Sequence, residues 1–476
     1  APPRAIEAGR RLADPRTVAV VTGQQAGLFG GPLYTLLKAL TAIKLAEQVS
    51  HDQRVPAVAV FWVDAEDHDW DEVRSCTVLD DAMTPRTVSL PIDEAAEGAP
   101  VAAVRLTRAI SSTLDELEGA LPATEFRPAL MAGLRRAYAE GAGMADAFGR
   151  WIENVLGDRG LIVYDSADPA SKPLASGIFV RELSAPGRTT SLAGAAGADL
   201  VALGYHAQVQ TPDGPALFHL AAEGREQSAG RRRAIRQQGG HFLVDGTRYE
   251  TAQLVREAGG RPDGFSPNVL LRPVVQDAIF PTICYVAGPS ELAYLGQLRH
   301  VYDHFGVPMP LMYPRASATL IDSAVLRFLT KYGLSLEALE RQDDGALNEL
   351  VARQIPPEIE ASIADAARAI DNRMARIIET MPALDPTLEG AARTTLSRMQ
   401  HDLETLQGKM IQAAKKRSET LRRQFARARA LAFPGGQSQE RTIAFVSFLN
   451  QYGPALIERL EDELPLDMGR HWIVTV

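Results

Sequence analysis

The chain is expected to be an α/β protein: a parallel-sheet core with inserted connecting segments and an antiparallel helical coiled-coil arm. Three observations predict this. Residues 17–63 read as strand, helix, strand; the same rhythm resumes after residue 266; and from about residue 357 apolar positions recur at alternating steps of three and four.

In the first unit, Val18-Ala19-Val20-Val21 is an apolar, partly β-branched run that ends toward Gly23 and Gly27. Leu33, Leu36, Leu37, Leu40, Ile43 and Leu45 then recur at helical spacing. Val55 to Val63 is apolar almost throughout, as a strand covered on both faces must be. Pro56 stands at its start, where no ladder donor is needed. Two parallel strands joined by a helix imply a right-handed crossover. A helix over 144–156 leads to a third strand at Leu161-Ile162-Val163-Tyr164. Residues 77–103, rich in proline and acid, read as irregular or inserted.

Between 201 and 250 the chain changes character. Apolar runs at 201–203, 216–220 and 241–244 are separated by Pro212-Asp213-Gly214, Gly239-Gly240 and Asp245-Gly246, which signal hairpins and a small antiparallel appendage. Ser266-Pro267-Asn268 reads as a helix start. A strand at 282–287, a helix at 291–305, a strand at 309–313 and a helix from Ser317 complete the core.

Ile359, Ile363, Ala366, Ile370, Met374, Ile377 and Met381 form one seam, and Leu396, Met399, Leu403, Leu406, Met410 and Ala413 a second. A mean spacing of 3.5 is that of a coiled coil, and the proline-marked turn over 382–386 folds the two helices into a hairpin. At 1.5 Å per residue, helices of about 25 to 45 residues would project about 40 to 65 Å. The tail, ending His471-Trp472-Ile473-Val474-Thr475-Val476, reads as a last strand returning to the core. The expected division is a core over 1–330 with inserts at about 77–140 and 200–255, a helical region over 331–434, and a returning segment over 435–476.

The 476 residues carry a net charge of -9. No overall field therefore draws the protein to nucleic acid or anionic lipid. The basic runs Arg231-Arg232-Arg233 and Lys415-Lys416-Arg417 read as solvated faces. Two cysteines, Cys76 and Cys284, allow neither a disulfide framework nor a four-cysteine zinc site, and fit a reducing compartment. Cys284, inside an apolar run, reads as an inert buried thiol. The longest apolar run is too short to span a bilayer, and residues 1–10 lack a signal-peptide core. A cytoplasmic protein with no membrane and no nucleic-acid partner is expected.

Three clusters fall where an open α/β sheet places its site, at the carboxyl ends of strands. The first is Thr22 to Tyr34, TGQQAGLFGGPLY, with Gly23, Gln24, Gln25, Gly27 and Tyr34 as candidate substrate ligands. Its glycines free backbone N–H groups, and the helix start behind it favours an anion. It is neither the G-x-G-x-x-G fingerprint nor a Walker loop. Lys38, one turn on, reads either as a reach toward phosphate or carboxylate or as a solvated helix lysine. The second cluster runs from Trp62 through Asp64, Glu66, Asp67, His68, Asp69, Asp71 and Glu72. So many carboxylates beside an imidazole after a buried strand are too costly for plain core. His68 with Glu66, Asp67 and Asp69 would deprotonate an attacking amine. The same oxygens and ring nitrogen could instead hold a divalent metal, or simply form an acidic helix start. The third cluster sets Asn268, Arg272 and Gln276 on one helix face at i, i+4 and i+8, followed by Gly288, Glu291 and Tyr294 after a strand. Arg272 offers a fork for a carboxylate, or a bridge to a neighbouring glutamate. Pro314 to Thr319, after the strand at Met309, is a fourth, weaker candidate loop.

Thr22–Thr35 (TGQQAGLFGGPLYT), Phe61–Asp69 (FWVDAEDHD), Ser266–Pro273 (SPNVLLRP), Pro281–Tyr294 (PTICYVAGPSELAY) and Pro308–Leu320 (PMPLMYPRASATL) are similar, in the same order, to signatures of the bacillithiol cysteine-adding family. Arg353-Gln354-Ile355-Pro356 and Asn450-Gln451-Tyr452-Gly453-Pro454 also resemble it, so the likeness covers essentially the whole chain. It implies a Rossmann-like core related to class I nucleotidyltransferases, and a coiled-coil arm used in a homodimer. The implied reaction joins the carboxyl of cysteine to the amine of glucosaminyl-malate. Gln24-Gln25 stands where that superfamily carries a nucleotide-binding histidine motif, absent here. Arg315 to Thr319 stands at its lysine-rich mobile loop, without a lysine; Lys38, Arg315 and Ser317 are the candidate nucleotide contacts. Family members carry more chain before the glutamine loop, so the resemblance implies an N-terminal portion missing or naturally short. Condensing a carboxylate with an amine in water needs activation, which points to ATP, although no motif fixes the cofactor. The competing readings are another aminoacyl-transfer or nucleotidyltransferase-like enzyme and a non-catalytic coiled-coil scaffold.

Overall fold

The computed structural model describes the chain apart from residues 92–97, 210–213, 221–230, 354–356 and 386, and at 357, 382, 415 and 417 it describes the backbone alone. Two compact units emerge, one of residues 1–319 with 439–474, the other of 320–438.

The first unit is built on a five-stranded sheet. Its strands are β1 (Val18–Gln25), β2 (Ala57–Asp64), β3 (Ile162–Asp165), β4 (Thr282–Ala287) and β5 (Leu311–Pro314). They lie in the order β3-β2-β1-β4-β5 and every pairing is parallel. The two central strands are apolar because helices cover both faces: Val20, Val21, Val60 and Phe61 are fully buried. Between β1 and β2 runs helix α1 (Leu33–Gln53), whose residues Leu33 to Ala46 are buried at most positions. The chain leaves β1 in opposite directions on its two sides, so the crevice above the carboxyl ends of β1 and β4 is the topological switch point at which such sheets bind ligands.

The predicted strands of the core and their parallel pairing are borne out; several boundaries are not. β1 runs on to Gln25, so Gly23 and Gln24 belong to the strand. Residues 75–79 and 85–89 form an antiparallel hairpin where irregular chain was expected. Ser266-Pro267 does not start a helix. Phe265–Pro267 is a strand, held by antiparallel pairing to Leu217–Leu220, and helix α2 begins only at Arg272 (Arg272–Ile279). The helix expected over 291–305 is two, α3 (Pro289–Leu295) and a further turn-separated helix at Arg299–Phe305. Ser317–Ile321 is a strand paired with the tail strand His471–Thr475, so helix begins instead at Ser323, where Asp322 accepts from Val325 N at 2.7 Å.

The expected appendage is an antiparallel sheet of five strands: 265–267, 217–220, 232–238, 241–244 and 247–250, in that order. The run 201–203 is not one of its strands but closes helix Arg188–Ala202. Of the turn read at Pro212-Asp213-Gly214, only Gly214 lies within the described residues, as does only Arg353 of the segment 353–356.

The second unit is helical. The two seams form α4 (Pro357–Thr380) and α5 (Leu388–Arg417), tied across by Gln400 Nε2 donating to Asp371 Oδ1 at 3.0 Å. A 3-10 turn, Met381–Ala383, follows α4. With 24 and 30 residues, the helices are about 36 and 45 Å long. Met374 and Ala392 are buried between them, while Ile359, Ile377, Met399 and Leu406 remain 40 to 50% exposed.

Candidate active site

Above the carboxyl ends of β1, β2 and β4 lies a cavity of about 370 Å³, formed wholly within the first unit. Parallel pairing sets Gly23 beside Trp62 and Gln25 beside Asp64. Gly23 is required by that close approach, since a Cβ there would lie 3.0 Å from the Trp62 carbonyl oxygen. Side chains alternate along a strand. Trp62 and Asp64 therefore share the face that opens on the cavity, and both line it.

The floor is an internal ion network. Lys38, 3% exposed, donates to Gly23 O at 2.8 Å and to Gln24 Oε1 at 2.9 Å, and pairs with Glu291. Glu291 also accepts from Gly288 N at 2.7 Å and from Tyr285 OH at 2.9 Å. Burial would raise the Glu291 pKa, but the Lys38 charge and the Gly288 N–H hold it below its usual range. Burial pulls Lys38 down, against the opposing charge of Glu291. Lys38 is thus not solvated; it locks β1 to the loop after β4.

Arg272 is buried at the start of α2. It donates to Tyr294 OH at 2.7 Å and Gln276 Oε1 at 3.2 Å, with Asp64 Oδ2 at 3.6 Å from its Nε. Asn268 precedes this helix rather than sharing its face; its Oδ1 accepts from Leu270 N and Leu271 N, and it lines the cavity mouth with Val269.

On the opposite wall Asp67 accepts from Gln25 Nε2 at 2.6 Å and from the backbone N of His68 at 2.7 Å. Burial would raise its pKa; those hydrogen bonds and the charge of Arg232 outweigh it and hold the carboxylate well below its usual range. Asp64 is the opposite case. Its pKa is raised by burial, with Arg272 opposing.

The structure brings Gly23, Gln24, Gln25, Tyr34, Lys38, Trp62, Asp67, Asn268, Arg272, Gly288, Glu291, Tyr294 and Arg315 to this one cavity. It does not bring the rest. Glu66 turns into the protein, where Lys172 neutralises it. Asp69 caps the short helix Trp70–Val73, accepting from Glu72 N at 3.3 Å. His68 stands at the rim, its side chain 49% exposed and its Nδ1 3.6 Å from Asp67 Oδ1. Gly27 lies in the turn beyond the cavity. At the start of α1, Leu33 N donates to Ile443 O at 2.8 Å and Thr35 N to Pro32 O at 2.9 Å, so these two N–H groups are not free for an anion.

The three candidate nucleotide contacts are spent on internal acids. Lys38 serves Glu291. Arg315 makes two bonds to Glu440, at 2.9 and 2.7 Å. Ser317 Oγ donates to the same carboxylate at 3.1 Å and shares a hydrogen bond with His471. These three side chains are therefore not free to hold a triphosphate. Among the described residues no three of His, Cys, Asp or Glu come together as a metal-ligand set. No helix among them is long and apolar enough to cross a membrane.

Four charged lining residues receive no site role from the sequence. Asp64 is marked by the two-residue alternation with Trp62. Glu72 lies inside the acid run. Arg232, read as solvated, stacks on Phe218 with its guanidinium 4.1 Å from the ring centroid and donates to Pro267 O at 2.6 Å. Arg441 arrives from the C-terminal segment, and no local pattern announces it.

The matches to known proteins follow this architecture. Residues 3–316 match the family model described as "Bacillithiol biosynthesis BshC, N-terminal Rossmann-like domain", and residues 318–476 match "Bacillithiol biosynthesis BshC, C-terminal coiled-coil domain". A protein of Salinibacter ruber named "Putative cysteine ligase BshC" is 35% identical over 472 residues, covering 98% of this chain and 84% of the relative. Relatives of the same name from Symbiobacterium thermophilum (35% identical; 98% of this chain, 85% of the relative) and Chlorobaculum tepidum (32%; 94% and 81%) match similarly. With both domains and nearly the full length matched, the chain belongs to the BshC family of bacillithiol biosynthesis.

Proposed function

We propose that this protein is a ligase that forms an amide between the carboxyl of cysteine and the amine of glucosaminyl-malate, the last step in making bacillithiol. The observation that carries the reading is the mixed charge of the switch-point cavity. Five basic side chains (Lys38, Arg232, Arg272, Arg315, Arg441) and four acidic ones (Asp64, Asp67, Glu72, Glu291) line it. Such a surface suits substrates bearing ammonium and carboxylate groups together, as cysteine and an amino sugar linked to malate both do. Arg272 and Arg441 are the carboxylate readers; Asp64 and Asp67 face the amine. The base role read for His68 sits less well with a half-exposed ring at the rim.

The test is to incubate the protein with cysteine, glucosaminyl-malate and ATP, and to seek by mass spectrometry a thiol equal in mass to both substrates less water. A folded protein that makes none with any nucleoside triphosphate sinks the reading.

The half-exposed apolar seam of α4 and α5 supports a second copy of the chain as partner. Sedimentation is expected to give a dimer that Leu406→Glu dissociates.

A further inference from the structure

We propose that Asp64 is the catalytic base of this site, receiving a proton from the attacking amine. The inference rests on the ligase reading above and adds to it the residue that makes the nucleophile. A protonated amine has no lone pair to attack with, so one N–H bond must break first. The pair stays on nitrogen, and the proton passes to a carboxylate oxygen of Asp64, turning ammonium and carboxylate into amine and carboxylic acid.

Four acids line the cavity, and three are already engaged. Asp67 accepts from Gln25 and His68; Glu72 accepts from Gln25 at 3.0 Å; Glu291 accepts from Gly288 and Tyr285 and pairs with Lys38. Asp64 accepts no hydrogen bond from the described residues, its nearest cation being Arg272 Nε at 3.6 Å. Its side chain is 25% exposed, and Asp64 lines the cavity. A carboxylate three-quarters covered, with no donor among the described residues, is left short of partners that a ligand can supply, and an ammonium supplies up to three.

Its position is fixed. Asp64 is the last residue of β2, level with Gln25 on β1, so the backbone of two buried strands aims it. The charged groups facing it are Arg272 from α2, Arg232 from the antiparallel sheet, Asp67 from its own loop and Glu291 from α3. Burial, with Asp67 and Glu291 nearby, raises its proton affinity above that of a free carboxylate, against the opposing charges of Arg272 and Arg232. His68 has neither the burial nor the cavity position for this role.

The experiment compares wild type with Asp64→Asn and Asp64→Glu, using glucosaminyl-malate and its N-acetyl derivative as calorimetric probes. Product formation is followed from acid to mildly alkaline pH. Wild type is expected to prefer the free amine, and its kcat to fall on the acid side as Asp64 takes up its proton. Asp64→Asn is expected to lose the preference, to drop in kcat about 10²- to 10⁴-fold, and to lose the acid limb. Asp64→Glu, which keeps the charge opposite Arg272, is expected to keep the preference for the amine with reduced kcat. An Asn variant that keeps the acid limb and changes only KM overturns the proposal and leaves Asp64 as the counter-ion of Arg272. A wild type that prefers the amine but makes no thiol product counts against the ligase reading alone; equal binding of amine and N-acetyl forms by wild type counts against Asp64.

Discussion

Replacing Glu291 with glutamine would keep the shape of the cavity floor and remove one charge. The single amide oxygen of glutamine can still accept from Gly288 N while its NH2 donates to the Tyr285 hydroxyl, so the loss falls on Lys38, left buried among neutral oxygens only. Breaking one partner out of a buried pair costs about 3–5 kcal/mol. Two facts set the value here. The Glu291 side chain is 20% exposed and Lys38 keeps two acceptors, which favours the low end. The ammonium can also shed its proton, which at about pH 7.5 bounds the cost near 1.36 kcal/mol times about three units, or about 4 kcal/mol. A loss of about 3 kcal/mol is therefore expected. The variant's Lys38 binds its proton less tightly folded than unfolded, so its stability should rise with pH and the deficit shrink toward about pH 9. All four tryptophans (62, 70, 151 and 472) lie in the unit that carries the sheet, so urea unfolding followed by tryptophan fluorescence reports on that unit. Lys38→Met combined with Glu291→Gln should recover most of the loss. A deficit under about 1 kcal/mol, or one indifferent to pH, refutes the claim that this pair is a buried lock.

Asp277 is raised to about 6 by burial, despite hydrogen bonds from Tyr302 and Gln276. Folding then favours its protonated form, so its contribution is best below the unfolded value of 3.8 and is lost as pH rises to about 6; Asp277→Asn should gain up to about 3 kcal/mol at neutral pH, read by thermal melting, and a lowered melting point would contradict this. Gly30 has φ +99, and a Cβ there would sit 2.4 Å from the Phe445 ring. Gly30→Ala is expected to cost well over 1 kcal/mol, and a near-normal melting point counts against it. Arg315→Lys cannot reproduce the two-bond fork onto Glu440 and should destabilise by about 1–3 kcal/mol, which a Glu440→Gln variant should largely reproduce in the same assay.

The sheet was legible because its strands are buried on both faces: Val55 to Val63 had to be continuous and apolar, and the helix between it and Val18-Val21 had to carry Leu at helical spacing. The coiled-coil seams were legible for the same reason, a period that local sequence displays. Local pattern failed where partners distant in sequence decide. Ser266-Pro267 has the composition of a helix cap, yet pairing with Leu217–Leu220 makes it strand. Ser317 was drawn out of helix by the tail strand at His471–Thr475. Within the acid run, composition could not separate Asp64, aimed into the cavity by strand alternation, from Glu66, neutralised by Lys172 more than one hundred residues on. Arg441 reaches the cavity from the far end of the chain, and only the fold reveals it.

The central claim is that cysteine and an amine-bearing acceptor meet above the carboxyl ends of β1, β2 and β4. A crystal structure of the protein with glucosaminyl-malate addresses it most directly. The acceptor is expected in the cavity, its nitrogen within hydrogen-bond reach of Asp64 and a malate carboxylate against Arg272 or Arg441. Acceptor bound elsewhere, with the cavity holding only water, would contradict it.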